Sequence, residues 1–475
     1  MSSPSLKLLF FVENPTSLQH LTRSRLLHHL TDEQQGFVCT VVLPPTLRLS
    51  DEELKHLQHV RFHYLDFHRL RPVDFQARTL KKSLHAVARD LLTVTAPHST
   101  LSQDRHHLFK QKGRSARLRL LYADLLKKAG LKSHHIGRMA QNFGVYPEIA
   151  SLLDAEPPDY VIYFNILIGQ MDFLREVKRR GIPLILDIPN WDQASSKGPM
   201  TVLPDHVFVW SNFIKKDFCE IHHFPPERVR TIGVLQFDYY FQGNKPLSRE
   251  EFCKIHNIPV ESKIVLYAYG QPPGIRACGP FVKEIIDIIG DNKQGFRCHL
   301  IFRASPRVPF PTMLNDEPNI SIQHPSGHES PDGLGWISSP NEDRMRMSTL
   351  MHSDVVINIF STMMLDALCL RRPVINIGYV CGATEDQPNL MERFFKYTHL
   401  SAVMKSGGTW IPRNRAELGQ AIKEALTAPA SCGSAAQELL QEICGPSDGK
   451  SYLRWVDALQ KAHAYESAKT ERAKP

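Results

Sequence analysis

The 475 residues predict an α/β protein made of two doubly wound parallel-sheet domains. Three observations carry that expectation. Short runs rich in Val, Ile, Leu and Phe recur along the chain, helical stretches separate them, and the rhythm restarts near Ser248. Near-continuous apolar runs, without polar alternation, are what strands covered on both faces require.

In the first domain, residues 6–12 form the first strand, too short and without the cleavage pattern of a signal peptide. The loop Glu13-Asn14-Pro15-Thr16-Ser17 and a helical stretch carrying His20 follow, and 37–43 is a second strand. Residues 72–140 read as a helical insertion that interrupts the alternation. Strands at 160–164, 183–188, 205–210 and 230–232 resume it. In the second domain, strands are expected at 264–269, 299–302, 320–323, 355–359 and 374–377. Residues 325–340, rich in Gly, Ser and Pro, read as a loop. The expected bounds are 1–243, 248–445, and a terminal helix and tail over 446–475, with Tyr452, Trp455, Val456 and Leu459 on the helix's apolar face.

The most informative stretch is DVVINIFSTMMLDALCLRRPVINIGY, residues 354–379. It reads strand, tight turn, helix, strand, with the turn at a strand's carboxyl end, where open parallel sheets bind ligands. Ser361 and Thr362 suit the helix cap, and a helix start attracts phosphate. Asp366, one turn further on, is able to face a ribose. An ordinary capped helix is the competing reading.

This stretch resembles the nucleotide-binding half of GT-B glycosyltransferases, especially bacterial relatives of CDP-glycerol glycerophosphotransferases and surface-carbohydrate transferases. Four further segments are similar to the same group and in the same order: GIPLILDIPNWDQASSKG (181–198), DHVFVWSNFIKKDFCEIHHFPPERVRTIGVLQFD (205–238), SREEFC (248–253) and LIFRASP (300–306). The resemblance implies a GT-B fold, two Rossmann-like domains facing a cleft, with a nucleotide-activated donor held by the second and a carbohydrate or lipid-linked acceptor by the first. It implies a metal-independent glycosyltransferase without a cofactor, acting in the cytoplasm on cell-surface polysaccharide or glycolipid precursors. A terminal helix packing back across the cleft would also fit the group.

The candidate residues follow from the needs of such a transfer. The leaving phosphate needs its charge stabilised, and an acceptor hydroxyl must lose its proton. No DxD-type metal site is evident, so Arg303 at a strand end and Gly270 with Pro272-Pro273-Gly274 in a close-approach loop are assigned to the donor, with Ser361, Thr362 and Asp366. The group has His-Pro after the basic residue; here Ser305, also assigned to the donor, stands before Pro306, and Asp366 stands where relatives often have Glu. The missing histidine counts against glycerophosphate transfer, and the two departures together are what a non-catalytic protein on the same fold would show. His20 is the leading base, with a surface helix histidine as the alternative and Asp192 as competitor. Trp191 and Lys197 are assigned to the acceptor, with Trp191 as packing core the alternative.

Composition narrows the class. Hydrophobic content of 42% and charged content of 22% are ordinary for a globular chain. The nine cysteines are scattered singly, which suits reduced residues in the cytoplasm. Part of the +8 net charge is concentrated between Arg105 and Arg138, where ten Lys or Arg face one Asp and leucines recur at helical spacing. That is either a solvated basic helix or a surface for an acidic acceptor or for peripheral contact with an anionic membrane. Nucleic acid is disfavoured, since no recognition fold accompanies the charge. Rival functions on the same fold are glycerophosphate or polyol-phosphate transfer, nucleotide-sugar 2-epimerisation, which would need several carboxylates around the sugar, and a non-catalytic nucleotide-binding scaffold.

Overall fold

A computed structural model describes residues 6–32, 35–49, 54–55, 57–67, 70–73, 75–112, 114–140, 144–166, 171–270, 279–290, 295–306, 319–331, 335–381, 390–428 and 433–472. The chain divides into two compact units. One comprises Met1–Asp238 with Tyr397–His399 and Ile443–Pro475; the other comprises Tyr239–Lys396 and Leu400–Glu442.

The first unit is built on seven strands: β1 (Leu6–Phe11), β2 (Phe37–Leu43), β3 (Val60–Tyr64), β4 (Tyr160–Tyr163), β5 (Leu184–Asp187), β6 (His206–Val209) and β7 (Val229–Thr231). They lie in the order β3-β2-β1-β4-β5-β6-β7, every neighbouring pair parallel. Every residue of β4, β5 and β6 is buried, as a sheet covered by helices on both faces requires. β3 is absent from the sequence expectation. It is an edge strand with only Val60 buried, so no apolar run marks it.

Between β3 and β4 the expected helical insertion is present as Phe75–Thr95, Thr100–Lys112, Arg114–Lys128 and Ser133–Ala140. Asp90 ties three of these helices together. It pairs with Arg105 and accepts two bonds from Arg119, at 2.8 and 2.9 Å. Ala88, Leu91 and Ile136 form a small core there. The terminal helix Ser451–Arg472 belongs to this unit. Trp455 is fully buried on it and donates to Asp187 Oδ2 at 2.8 Å. Asp238 accepts the Ser451 and Tyr452 N–H groups at the start of that helix, at 3.0 and 2.9 Å.

The second unit carries β8 (Lys263–Tyr269), β9 (Cys298–Ala304), β10 (Ile320–Gln323), β11 (Gly327–Glu329), β12 (Trp336–Ser338), β13 (Val355–Asn358) and β14 (Val374–Asn376). Five form a parallel sheet in the order β10-β9-β8-β13-β14. The helix Arg249–His256 leads into it, opened by a capping box between Ser248 and Glu251. β11 and β12 pair as an antiparallel hairpin inside the stretch expected to be a loop. Neither strand has a buried residue, so its sequence offers no apolar alternation. Gly327 is required there: at φ 142, a Cβ would stand 2.2 Å from the Ile337 carbonyl oxygen.

The architecture is therefore two Rossmann-like, doubly wound parallel-sheet units, an α/β fold of the GT-B type.

Candidate functional site

In an open parallel sheet, the crevice lies where successive connections leave two adjacent strands in opposite directions. In the second unit that switch falls between β8 and β13, and in the first between β1 and β4.

At the β8/β13 switch, Gly270 follows β8 with its backbone exposed, and a Cβ on it would stand 3.4 Å from Ser361 Cβ. Ser305 is adjacent, donating its N–H to the Tyr269 carbonyl at 2.7 Å. Ser361 donates its own N–H to Asn358 Oδ1 at 2.8 Å. Ser361 Oγ and Asn358 Nδ2 are buried, and neither has a hydrogen-bond partner among the described residues. Such groups cost free energy unless something pairs with them. Between them Phe360 sits at φ 49, a left-handed backbone that is unusual for a residue with a bulky side chain. Its ring lies edge-on to Phe395 with centroids 6.0 Å apart, and the exposed Arg413 guanidinium lies 3.7 Å from the Phe395 centroid.

Ser361 and Thr362 do not cap through their hydroxyls, contrary to the sequence expectation. Thr362 is itself in the right-handed helical conformation before the helix Met363–Cys369 and makes no side-chain cap bond. The turn is closed instead by Asn358 and by the Met364 N–H on the Ser361 carbonyl at 3.0 Å.

Two other donor candidates are placed away from solvent. Arg303 was expected at a strand end, facing a ligand. It lies inside β9, 6% exposed, paired with Glu342 and donating to Gln323 Oε1 at 2.7 Å. Burial pulls its pKa down, against the pull of Glu342. Asp366 is 5% exposed and accepts the Tyr240 hydroxyl at 2.6 Å. Burial raises its pKa, partly offset by Arg346 and by the Tyr240 bond. As placed, it serves a buried polar cluster rather than an open ribose site. Pro272-Pro273-Gly274 lies outside the described residues.

At the β1/β4 switch, Glu13 follows β1, Tyr163 ends β4 and Asn165 follows it. The tyrosine hydroxyl and the asparagine amide both donate to the Glu13 carboxylate, which is 2% exposed. Burial pushes the Glu13 pKa from 4.5 to about 7, against the pull of the Tyr163 bond. A carboxyl that exchanges its proton near neutrality is suited to acid–base work. Sequence reading missed Glu13 and Arg413. Glu13 stood in the noted loop, but its partners lie about 150 residues away, and nothing near Arg413 marks it.

His20 lies in the helix Pro15–Arg23, capped by Asn14 accepting the Ser17 N–H at 2.9 Å. It is 8% exposed, with Nε2 at 2.7 Å from Gln236 Oε1. The expected acceptor residues form a different cluster. Trp191 is 4% exposed and packs edge-on to His399, centroids 5.1 Å apart, so the packing alternative describes its placement. Asp192 accepts the Ser196 hydroxyl at 2.7 Å, and Lys197 is half-buried beside it. His399 bonds Thr100 Oγ1 at 3.1 Å; burial lowers its pKa while Asp192 and Asp104 raise it. Among the described residues, no group of three or more His, Cys, Asp or Glu is arranged to hold a metal ion.

No protein-family model matches the chain, and no curated protein matches it. Solved structures do. A UDP-GlcNAc 2-epimerase from Neisseria meningitidis, bound to UDP-GlcNAc, is 11% identical, with a TM-score of 0.53 over 96% of this chain and 100% of that one. The MnaA protein of S. aureus, solved with UDP, is 10% identical, with a TM-score of 0.54 over 96% of each chain. A glycosyltransferase from Rickettsia africae is 10% identical, with a TM-score of 0.51 over 96% of this chain and 99% of that one. At such identities the likeness is one of fold. It runs to a fold that 2-epimerases and glycosyltransferases share, and not to glycerophosphotransferases in particular.

Proposed function

We propose that this chain is an enzyme acting on a nucleotide-activated sugar, and that its reaction is epimerisation at the sugar's carbon 2. The observation that carries the reading is the pairing of polar groups with the two switch points. Gly270, Ser305, Ser361 and Thr362 gather at one, and the Glu13–Tyr163–Asn165 cluster occupies the other. Gly270 admits the close approach of a phosphate, and the buried Ser361 Oγ and Asn358 Nδ2 offer it hydrogen bonds. Arg413, held on Phe395, whose ring meets Phe360 in the same turn, is the cation assigned to a diphosphate. Asp366 would reach a ribose only after releasing Tyr240.

Inverting carbon 2 removes its proton from one face while the electron pair forms a C1–C2 double bond and the nucleoside diphosphate leaves carbon 1. Re-addition of the diphosphate, with a proton delivered to the other face, completes the step, so an acid–base group is needed on each face. Glu13 has the proton affinity for this, and His20 is the second candidate. The presence of 2-epimerases among the similar structures, one bound to UDP-GlcNAc, supports this reading over glycosyl transfer. Glycosyl transfer is the second reading, supported by the likeness to the Rickettsia africae glycosyltransferase. Asp192, Trp191 and Lys197 would then serve a carbohydrate or lipid-linked acceptor.

The test is incubation with UDP-GlcNAc in deuterium oxide without an acceptor. Deuterium at carbon 2 with a mixture of C2 epimers is the expected result. Release of UDP with no deuterium in the remaining sugar would favour transfer. Unchanged substrate that also fails to bind would overturn both.

A further inference from the structure

We propose that the helix Arg114–Lys128 is a docking surface for an anionic lipid membrane, with its axis lying in the plane of the headgroups. This does not depend on the nucleotide-sugar reading. The helix is turned inside out for a water-facing surface. Its inner face packs with small residues, Ala116 and Ala123, which are buried, and with Leu126 against the core of Ala88, Leu91 and Ile136. Its outer face carries Leu118, Leu121, Tyr122 and Leu125, exposed at 66%, 62%, 57% and 63%. The spacing i, i+3, i+4, i+7 places these four in one stripe along the helix. Single exposed leucines are ordinary, but an aligned stripe of large apolar groups marks an interaction surface.

The charge around the stripe selects the occupant. Arg117 and Lys128 border one side, and Arg114 stands in line with the stripe at its start; all three are exposed. Arg119 borders the other side, half-exposed and bound to Asp90. The helix's one acid, Asp124, is engaged by Lys128 at 3.2 Å. Between Arg105 and Arg138 the chain carries ten Lys or Arg and one Asp. An apolar stripe with a basic border is the pattern of a helix that buries leucines at the acyl boundary while its cations meet lipid phosphates. A second copy of this chain would set the same positive border against itself, which opposes self-association. Among the described residues no helix is long and apolar enough to cross a membrane, so the contact is a surface one.

The experiment is co-sedimentation of the full chain with vesicles of phosphatidylglycerol and phosphatidylcholine, against phosphatidylcholine alone. Wild type is expected to bind the anionic vesicles and to release as salt rises. Leu121→Glu/Leu125→Glu and, separately, Arg117→Gln/Lys128→Gln should each lower partition about tenfold or more. All four side chains face solvent, so melting temperatures should be unchanged; the charge pair keeps the test valid if the leucine pair fails to fold. Absence of binding by wild type would overturn the proposal, as would binding of both variants at the wild-type level. Conversion of a wild-type dimer to monomer by Leu121→Glu/Leu125→Glu, without vesicle binding, would assign the stripe to self-association instead.

Discussion

The Tyr240 hydroxyl donates a 2.6 Å hydrogen bond to Asp366 Oδ1 and thereby occupies the carboxylate that the sequence offers to a ribose. Both residues are buried, and Arg346, 3.0 Å from Asp343, adds the positive charge that favours ionised Asp366. Tyr240→Phe keeps the ring and removes one hydrogen bond from a buried carboxylate. The expected loss is about 1–3 kcal/mol of stability. Urea denaturation measures it, and a midpoint equal to wild type would mean that water replaces the phenol.

The β8/β13 switch gives a prediction about binding rather than stability. Gly270 is not in the left-handed region, and its added Cβ would meet Ser361 at an ordinary contact distance of 3.4 Å. Gly270→Val should therefore fold, while its branched side chain fills the space beside Ser361. Affinity for UDP should fall at least tenfold, about 1.4 kcal/mol, with little change in melting temperature. Titration calorimetry on both proteins checks this, and undiminished affinity would move the phosphate site elsewhere.

Glu13 predicts a pH dependence. Its folded pKa of about 7 lies above the ordinary 4.5, so the folded state binds the extra proton between those values. Its favourable contribution is complete below pH 4.5 and is lost as pH rises through about 7. The full loss is about 3 kcal/mol at 1.36 kcal/mol per pH unit. His222, pushed down to about 4 by burial, works in the opposite sense, lowering stability as pH falls from 6.5 to 4. Glu13→Gln leaves His222 in place, so the wild-type-minus-variant difference isolates the carboxyl. That difference should decline from pH 4.5 to 7.5 in urea titrations; a flat difference would mean that Glu13 is already ionised at acid pH.

The residues that could be read in sequence differ from the others in how far away their determinants lie. β4, β5, β8 and β13 announce themselves because their own side chains are all or nearly all buried. β3, β11 and β12 do not, because edge and hairpin strands are held by backbone bonds to a partner that the local pattern does not record. Gly270, Ser305 and Ser361 were legible as neighbours at strand ends, since the apolar runs before them mark where those strands stop. Arg303 was misread because Glu342, 39 residues on, neutralises it inside the sheet. Glu13 was passed over because Asn165, 152 residues on, completes its environment. A switch point juxtaposes residues that only the strand order brings together.

Trp455 tests whether the terminal helix is an integral part of its unit. Its indole is fully buried, with centroids 6.0 Å from Phe10 and 5.5 Å from Phe208, and its N–H donates to Asp187 Oδ2. Burial raises Asp187 from 3.8 to about 7, and the indole bond is what pulls the other way. Trp455→Phe retains an aromatic ring but loses that bond, so the folded pKa of Asp187 should climb further. A carboxyl raised this way is favourable below pH 3.8 and loses that contribution as pH rises through its folded pKa. The variant should therefore be less stable than wild type by about 2–4 kcal/mol at pH 8, from the lost bond and the smaller ring. At pH 5, where Asp187 is protonated in both proteins, the deficit should shrink toward the packing contribution alone. Urea unfolding at the two pH values measures this, and an equal deficit at both would show that the indole N–H does nothing for the ionised carboxylate.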